Sequence, residues 1–351
     1  MAGGLQSARL GTSGARGLSG MSGVLSPTTL DQMAWEAALA GFAGASLLQS
    51  WAYGAAKVDE GGWDLERLDY REAGTLSGMA QVMVRRLPLG LGGLAWINRG
   101  PLVAAGHDPA PIFAALRRWF GRRGFYLRVA PALADQVTPP GFRPAGRPGW
   151  ASALLDITPE EADLRKGLHG KWRNTLNKAE REGPAISGAE TDLADFLAGY
   201  GRFLAERSVP TTVTPALLAA LHRHSLEHLR PLAYVARHQD EVVGGVLMAR
   251  YGKGAEYLAG YGTEAGRRLG VGQALLWRGL VDVKRRGAEF LDLGGLDPLR
   301  TPAGIRDFKE GVRGVPYRLA EELECLGPNP LARLVRRKVA RSLALADGAP
   351  S

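Results

Sequence analysis

The stretch Arg267-Arg268-Leu269-Gly270-Val271-Gly272 lies between an apolar run, YLAGYG, and a long periodic segment, Gln273 to Arg286. That order reads strand, glycine loop, helix. A glycine loop opening a helix leaves backbone N–H groups without intrahelical partners, and a phosphate can accept from them. Arg267 and Arg268 add charged donors to the same seat. Gly270 and Gly272 let the backbone approach a ligand closely. The chemistry expected here is phosphate or pyrophosphate binding, although the same residues also fit a plain loop with a glycine near a helix start. Downstream, Gly287 ends the periodic segment and FLDLGG follows. Asp292, at the end of that strand, is a carboxylate base, the cap of the Gly294-Gly295 loop or the partner of a nearby arginine. Other constellations read as inert. His222, His224 and His228 are spaced i, i+2 and i+6, so they do not share one helical face, and no zinc site is expected. No Ser-His-Asp or Cys-His arrangement is evident.

These residues need elements to position them. Thr28 to Ala43 predicts a first helix, with Thr28 or Thr29 as N-cap. Ser46 to Lys57 follows, then the Gly61-Gly62 break. Strands are predicted at Trp63 to Tyr70, Leu76 to Leu87 and Leu94 to Asn98. Ala110 to Arg123 places Ile112, Phe113, Leu116, Trp119 and Phe120 on one helical face. Gly124 ends it, and Phe125 to Val129 is a strand. The second half runs the same course. Helices at Leu193 to Glu206 and Thr214 to Leu229 precede strands at Pro231 to Arg237, Val242 to Arg250 and Ala255 to Tyr261. The Gly270 to Arg286 helix, Gly287 and the Phe290 to Leu293 strand close the set. FGRRGFYLRV and VKRRGAEFLDL even look alike. The inference is a duplicated α/β unit, each half about 130 residues, a normal domain size. One difference stands out: His107-Asp108-Pro109-Ala110-Pro111 replaces the Arg-Gly loop in the first half.

Between the halves, Leu164, Leu168, Trp172, Leu176 and Ala179 recur at helical spacing beside Lys166, Lys171, Arg173, Lys178 and Arg181. This reads as a basic amphipathic segment, or a solvated linker helix. Tyr317 to Leu326 alternates like a final strand. Pro330 to Ala346 is a basic amphipathic helix that packs on the domain, or touches tRNA or an anionic membrane. The expected division is a disordered N-terminus over residues 1–24, domains over 25–157 and 190–327, the basic inter-domain segment over 158–189, and a C-terminal helix and tail over 328–351.

Composition is ordinary for a globular chain, with 45% hydrophobic and 23% charged residues. The formal charge of +9 suits an anionic partner such as nucleotide phosphates, RNA or a lipid surface, and an arginine-rich genome would give the same balance. Nothing points to DNA. A single cysteine, Cys325, excludes an internal disulfide and a cysteine-built metal site, and fits a cytosolic compartment. No run of eighteen apolar residues suggests a membrane span.

Several stretches together resemble the FemABX family of peptidoglycan bridge-forming aminoacyltransferases. They are LLQSWAYGAAK…GGW (Leu47 to Trp63), INRGP (Ile97 to Pro101), KWRNTLNKAEREG (Lys171 to Gly183), RRLGVGQALLW, and FLDLGG…GIRDFKEG. The R-x-x-G-x-G pattern is likewise that of the N-acetyltransferase (GNAT) superfamily. The resemblance implies an α/β protein of two tandem GNAT-like domains, each a mixed, mostly antiparallel sheet flanked by helices. It implies transfer of an aminoacyl group from aminoacyl-tRNA onto an amine of a UDP- or lipid-linked peptidoglycan precursor, with no metal or redox cofactor. Lys309, with Phe308, would face the reacting carbonyl or the terminal phosphates of the tRNA. Lys57, Trp51 and Arg173 would bind the precursor, with Lys57 and Arg173 at its phosphates. Two departures bear on the donor. Glu206 to Leu229 is too short for the helical tRNA-binding arm of some members, and the Arg267 to Gly272 loop is close to the acyl-CoA form. The alternatives are therefore an acyl-CoA-dependent N-acyltransferase, and a non-catalytic RNA- or membrane-binding module. The place of action implied is the cytoplasm, including the inner face of the membrane.

Overall fold

The computed structural model describes residues 23–188, 192–207 and 211–347. Most of the N-terminus expected to be disordered, residues 1–22, lies outside them, as do residues 348–351. The chain divides into two compact units. Unit 1 combines the residues up to Trp150 with those from Arg318 onward; unit 2 is Ala151–Tyr317.

Unit 1 begins with β1 (Val24–Pro27), α1 (Gln32–Leu39), a 3-10 turn at Leu47–Gln49, and α2 (Trp51–Asp59). Next come β2 (Asp64–Glu72), β3 (Thr75–Arg86), β4 (Gly93–Asn98), β5 (Leu102–Val103), α3 (Ala110–Arg122), β6 (Phe125–Ala130) and β7 (Arg143–Pro144). Unit 2 follows with β8 (Ala151–Asp156), α4 (Glu161–Gly167), α5 (Gly170–Glu182), β9 (Ala185–Ser187), α6 (Asp192–Arg207), α7 (Pro215–His224) and β10 (Leu232–His238). It continues with β11 (Glu241–Tyr251), β12 (Gly254–Gly262), α8 (Glu264–Arg268), α9 (Val271–Arg285), β13 (Phe290–Asp292), α10 (Ala303–Glu310) and β14 (Val315–Arg318). The chain then returns to unit 1 with β15 (Leu323–Leu326) and α11 (Pro330–Asp347).

The two sheets repeat one plan. Unit 1 has the order β1-β2-β3-β4-β6-β15-β7, and unit 2 has β9-β10-β11-β12-β13-β8-β14. In each, one parallel pair stands among antiparallel neighbours, β4 with β6 and β12 with β13. The duplication and the mixed, mostly antiparallel sheets read from the sequence are present.

The division differs from the expected one because the units exchange strands. β8 follows unit 1 in sequence but pairs with β13, Phe290 opposite Asp156. β15 follows unit 2 but pairs with β6, Leu323 opposite Val129. Tyr317 to Leu326 is accordingly not one strand; β14 and β15 belong to different sheets. The basic segment at 158–189 is no free linker either. Leu164, Leu168, Trp172, Leu176 and Ala179 are all buried in the core of unit 2, beside Val271 and Leu275 of α9. Burying an amphipathic face of that size outweighs its charge, which stays on the outer side.

Local signals explain most boundaries. α1 starts later than expected because Asp31, not Thr28 or Thr29, caps it; Oδ1 accepts from Ala34 N at 2.9 Å. The helix expected over 214–229 stops at His224, where Ser225 turns to extended backbone and its Oγ donates to Leu221 O. α3 buries Ile112, Phe113, Leu116 and Phe120 in the core of unit 1, as its spacing requires, while Trp119 is only half-buried. α11 lays Ala332, Val335 and Val339 on Leu94, Tyr126 and Leu326.

Candidate functional site

In unit 2 the ladder between β12 and β13 covers only Gly254 to Glu256 opposite Phe290 to Asp292. Gly294 N does not continue it, donating instead to the carboxylate of Asp292 at 2.9 Å. From there the strands follow different neighbours. Leu293 N donates to Ala153 O and Leu296 N to Ala151 O. β12 stays with β11, and a bulge lies where Leu247 faces Ala259 and Met248 faces Tyr257. Bulges bend a strand and re-aim its side chains. The end of this parallel ladder is therefore an opening in the sheet, lined by Tyr257 on one strand and Gly294-Gly295 on the other.

α10 delivers Phe308 and Lys309 to it. Lys309 is buried, and its Nζ donates to Gly295 O at 3.1 Å and lies 5.6 Å from the Tyr257 ring centroid. Burial pulls the Lys309 pKa down to about 8, while Asp292 and Glu256 hold it up. Gly294 has φ +73°, and a Cβ there would sit 3.3 Å from Lys309 Nζ and 3.1 Å from Tyr257 O. A side chain at 294 would thus be strained and would crowd the ammonium. Phe308 lies between Trp172 and Tyr257, with ring centroids 6.1 and 6.3 Å away, and Trp172 Nε1 donates to Phe308 O at 3.0 Å. Burial also pushes the Tyr257 hydroxyl well above its ordinary value.

Asp292 is buried and satisfied. Its carboxylate accepts from Tyr317 Oη at 2.6 Å, from Gly294 N, and from Ser152 Oγ. It caps the glycine loop and supplies a fixed negative charge near Lys309. Of the roles read from the sequence for Asp292, the loop cap is the one these hydrogen bonds display.

The Arg-Gly loop packs closely on its neighbours. Gly270 opens α9 at φ +71° with no side-chain cap. A Cβ on it would lie 2.7 Å from Thr175 Cγ2, and one on Gly272 would lie 3.3 Å from the Phe308 ring. Both glycines therefore admit protein neighbours, α5 and α10. Arg267 Nη1 donates to Gly262 O at 3.0 Å, and Arg268 pairs with Glu264 at 3.0 Å on an exposed helix face. Gly272 thus lies against Phe308, the neighbour of Lys309, while Gly270 lies against α5 and Arg268 is engaged elsewhere. Arg173 is also in unit 2, where its Nη1 donates to Lys166 O at 2.9 Å.

Unit 1 holds a second constellation around Trp51. The Arg67 guanidinium lies 3.5 Å from the Trp51 ring centroid and donates to Trp51 O at 2.9 Å and to Gln81 Oε1 at 3.0 Å. Buried Gln49 exchanges two hydrogen bonds with the Gln81 backbone and ties it to Asn98 O. Glu36 Oε1 accepts from Trp51 N at 2.8 Å; burial pushes its carboxyl up to about 7, and desolvation draws Arg67 down to about 10. Lys57 is paired with Glu60. Of the residues around Trp51, the sequence reading named Trp51 itself and not Glu36, Gln49, Arg67 or Gln81. In unit 2 it missed Tyr257, Glu256 and Tyr317. The one available signal was polar residues inside apolar runs, as in GMAQVMV. Among the described residues no group of acidic, histidine or cysteine side chains could hold a metal ion.

Comparison with known proteins completes the picture. Residues 168–310, which include the site in unit 2, match the acetyltransferase (GNAT) domain family. The search of curated proteins finds no match. Among solved structures, FemX is similar with a TM-score of 0.74 and 14% identity, over 89% of this chain and 100% of that one. A conserved protein of unknown function from Bacteroides thetaiotaomicron gives 0.60 and 10%, over 86% and 100%. The C-terminal domain of a putative lysylphosphatidylglycerol synthetase from Agrobacterium fabrum gives 0.50 and 14%, over 87% and 95%. At these identities the likeness establishes the fold. The chain shares its fold with FemX, and the stretch that matches the acetyltransferase family lies in its second unit.

Proposed function

We propose that this protein transfers an aminoacyl or acyl group from an activated donor onto an amine of a peptidoglycan precursor, with the bond-making step in unit 2. The observation that carries the reading is Lys309. It is a cation held in a buried position at the open end of a parallel strand pair, inside an acetyltransferase-type domain. In acyl transfer a neutral amine attacks an ester or thioester carbonyl. A tetrahedral oxyanion forms, the C–O or C–S bond breaks, and the proton lost by the amine ends on the leaving oxygen, sulfur or solvent. With a pKa of about 8, Lys309 is mostly protonated at neutral pH, and its ammonium neutralises that oxyanion in a site where burial strengthens the interaction. The Gly295 carbonyl holds one of its N–H bonds and leaves the others for substrate.

A precursor phosphate is a candidate partner for Lys57 in unit 1 and, separately, for Arg173 in unit 2, and Trp51 offers a flat apolar surface beside Arg67. The net charge of +9 supports an anionic acceptor. The donor in this reading is aminoacyl-tRNA. Acyl-CoA is the second reading, favoured by the absence of a side-chain cap at the start of α9 and by the acetyltransferase family matched there. No described helix is long and apolar enough to cross a membrane.

The test offers a UDP-linked muropeptide with either a mixture of charged tRNAs or acetyl-CoA, and follows acylated muropeptide by mass spectrometry. Product from charged tRNA that disappears in Lys309→Ala supports the first reading. Product from acetyl-CoA alone supports the second. Full activity of a folded Lys309→Ala protein removes Lys309 from the mechanism.

A further inference from the structure

In unit 1 the turn between β3 and β4, Leu87-Pro88-Leu89-Gly90-Leu91-Gly92, puts two leucines into solvent. Leu89 is 94% exposed and held at φ +60°, and Leu91 is 47% exposed. A β-branched or aliphatic residue in that conformation, with nothing covering it, is unusual enough to ask what it serves. The turn is fastened to the start of α11. Asn329 Nδ2 donates to Leu91 O at 3.2 Å, while Asn329 Oδ1 accepts from Leu331 N and Asn329 O from Ala332 N. The first turn of α11 then carries Arg333 and Leu334, the latter 57% exposed.

The helix has two faces. Ala332, Val335 and Val339 pack on Leu94, Tyr126 and Leu326. Arg333, Leu334, Arg337, Lys338 and Arg341 share the opposite face and are all exposed. Arg336 is excluded from this set, because its guanidinium is held on Glu324 at 2.8 Å. Four outward cations therefore flank an exposed leucine, next to a turn that carries two more. Cations alone would suit any polyanion. The leucines decide between polyanions: an RNA surface offers phosphates and stacking faces, whereas the headgroup region of a bilayer takes both cations and aliphatic side chains.

We propose that this face of unit 1, Leu89, Leu91, Leu334 and the cations of α11, docks on a bilayer containing anionic phospholipid. The apolar side of α11 is committed to the sheet, so the helix does not insert. It lies on the surface, and the leucines are the part that enters. This inference stands apart from the acyl-transfer reading and does not use the site in unit 2.

The test is co-sedimentation of the full chain with vesicles of phosphatidylcholine, with and without phosphatidylglycerol. Binding is expected only with phosphatidylglycerol, and it weakens as salt is raised. Arg337→Gln with Lys338→Gln should lower partitioning about tenfold or more, since each cation near an anionic surface adds roughly a factor of five. Leu89→Ser with Leu334→Ser should lower it about tenfold at unchanged charge. These side chains are exposed, and unaltered thermal melts confirm folding. Equal sedimentation with both vesicle types overturns the proposal, as does absence of binding at low salt. Leucine variants that bind vesicles like the parent also overturn it. So does tRNA binding that needs the cations but not the leucines, in a protein that ignores vesicles.

Discussion

The two units share a strand order and differ at the end of their parallel pair. In unit 1, β4 and β6 stay in register over all six residues, Gly93 opposite Phe125 through Asn98 opposite Ala130. In unit 2, β12 and β13 stay paired over three and then separate. The following helices differ in the same sense. α3 begins behind Pro109, and its Ala110 N–H is taken by Asp108 Oδ1 at 2.9 Å. α9 begins at a glycine with no side-chain cap. In unit 1 the ladder stays closed and the helix start is occupied, and a buried polar network lies around Trp51. An open ladder gives unit 2 a place to bury a lysine. Duplication of a fold thus leaves two copies with one strand order, and the parted ladder is found in the second.

Predictions can sharpen or break this contrast. The largest effect is expected from Lys309→Ala, which should lower turnover about 10²–10³-fold if it removes one oxyanion stabiliser. Asp108→Ala in unit 1 should leave turnover unchanged. Equal losses in the two variants, measured as kcat on folded protein, would dissolve the distinction. Next is Gly270→Ala. Its left-handed backbone and the 2.7 Å approach of a Cβ to Thr175 should cost about 2–4 kcal/mol in chemical denaturation.

The buried ionisable groups of the two units should pull stability in opposite directions with pH. Glu36 in unit 1 has its pKa raised from 4.5 to about 7, so the unfolded chain gives up that proton first. Its contribution is complete below pH 4.5 and is lost as pH rises to 7. Glu36→Gln should abolish that loss, of order 2–3 kcal/mol by linkage. Lys309 in unit 2 has its pKa lowered from 10.5 to about 8, so between those values the unfolded chain holds more protons and stability rises with pH. Relative to Lys309→Met, the parent should gain roughly 2 kcal/mol from pH 7 to 10 in urea titrations. A flat difference would show that Lys309 is not buried as a cation. The smallest effect is expected from Tyr317→Phe, which deletes one hydrogen bond to Asp292 and should cost about 1–2 kcal/mol of stability.

The sequence made the local features legible. α3 and α9 announced themselves by period, Gly124 and Gly287 marked the turns after them, and Asp31 could have been chosen over Thr28 by the same capping rule. Strand exchange was not legible. Ala151-Ser152-Ala153-Leu154-Leu155-Asp156 carries little β-propensity and owes its strand to pairing with β13, a partner more than 130 residues away. The run Tyr317 to Leu326 reads as one strand, yet β14 ends at Arg318 and β15 begins at Leu323 in the other sheet, with Leu319-Ala320-Glu321-Glu322 between them. The site was half legible. Phe308-Lys309 stood out beside a glycine, and Gly270 and Gly272 were noticed for a ligand although they make room for Thr175 and Phe308. The burial of Lys309, and the roles of Asp292, Tyr257 and Tyr317, depend on where two strands part, and no single stretch encodes that.

The exchanged strands also bear on synthesis. A ribosome releases β6 about 190 residues before β15, the strand that covers its edge. Until then the nascent first unit carries an open sheet edge, and such edges pair readily with other chains. The protein can finish its first unit only after its second has emerged. A product cut short after residue 318 should therefore retain every strand of the second sheet, lack β15, and be the species that chaperones and proteases meet.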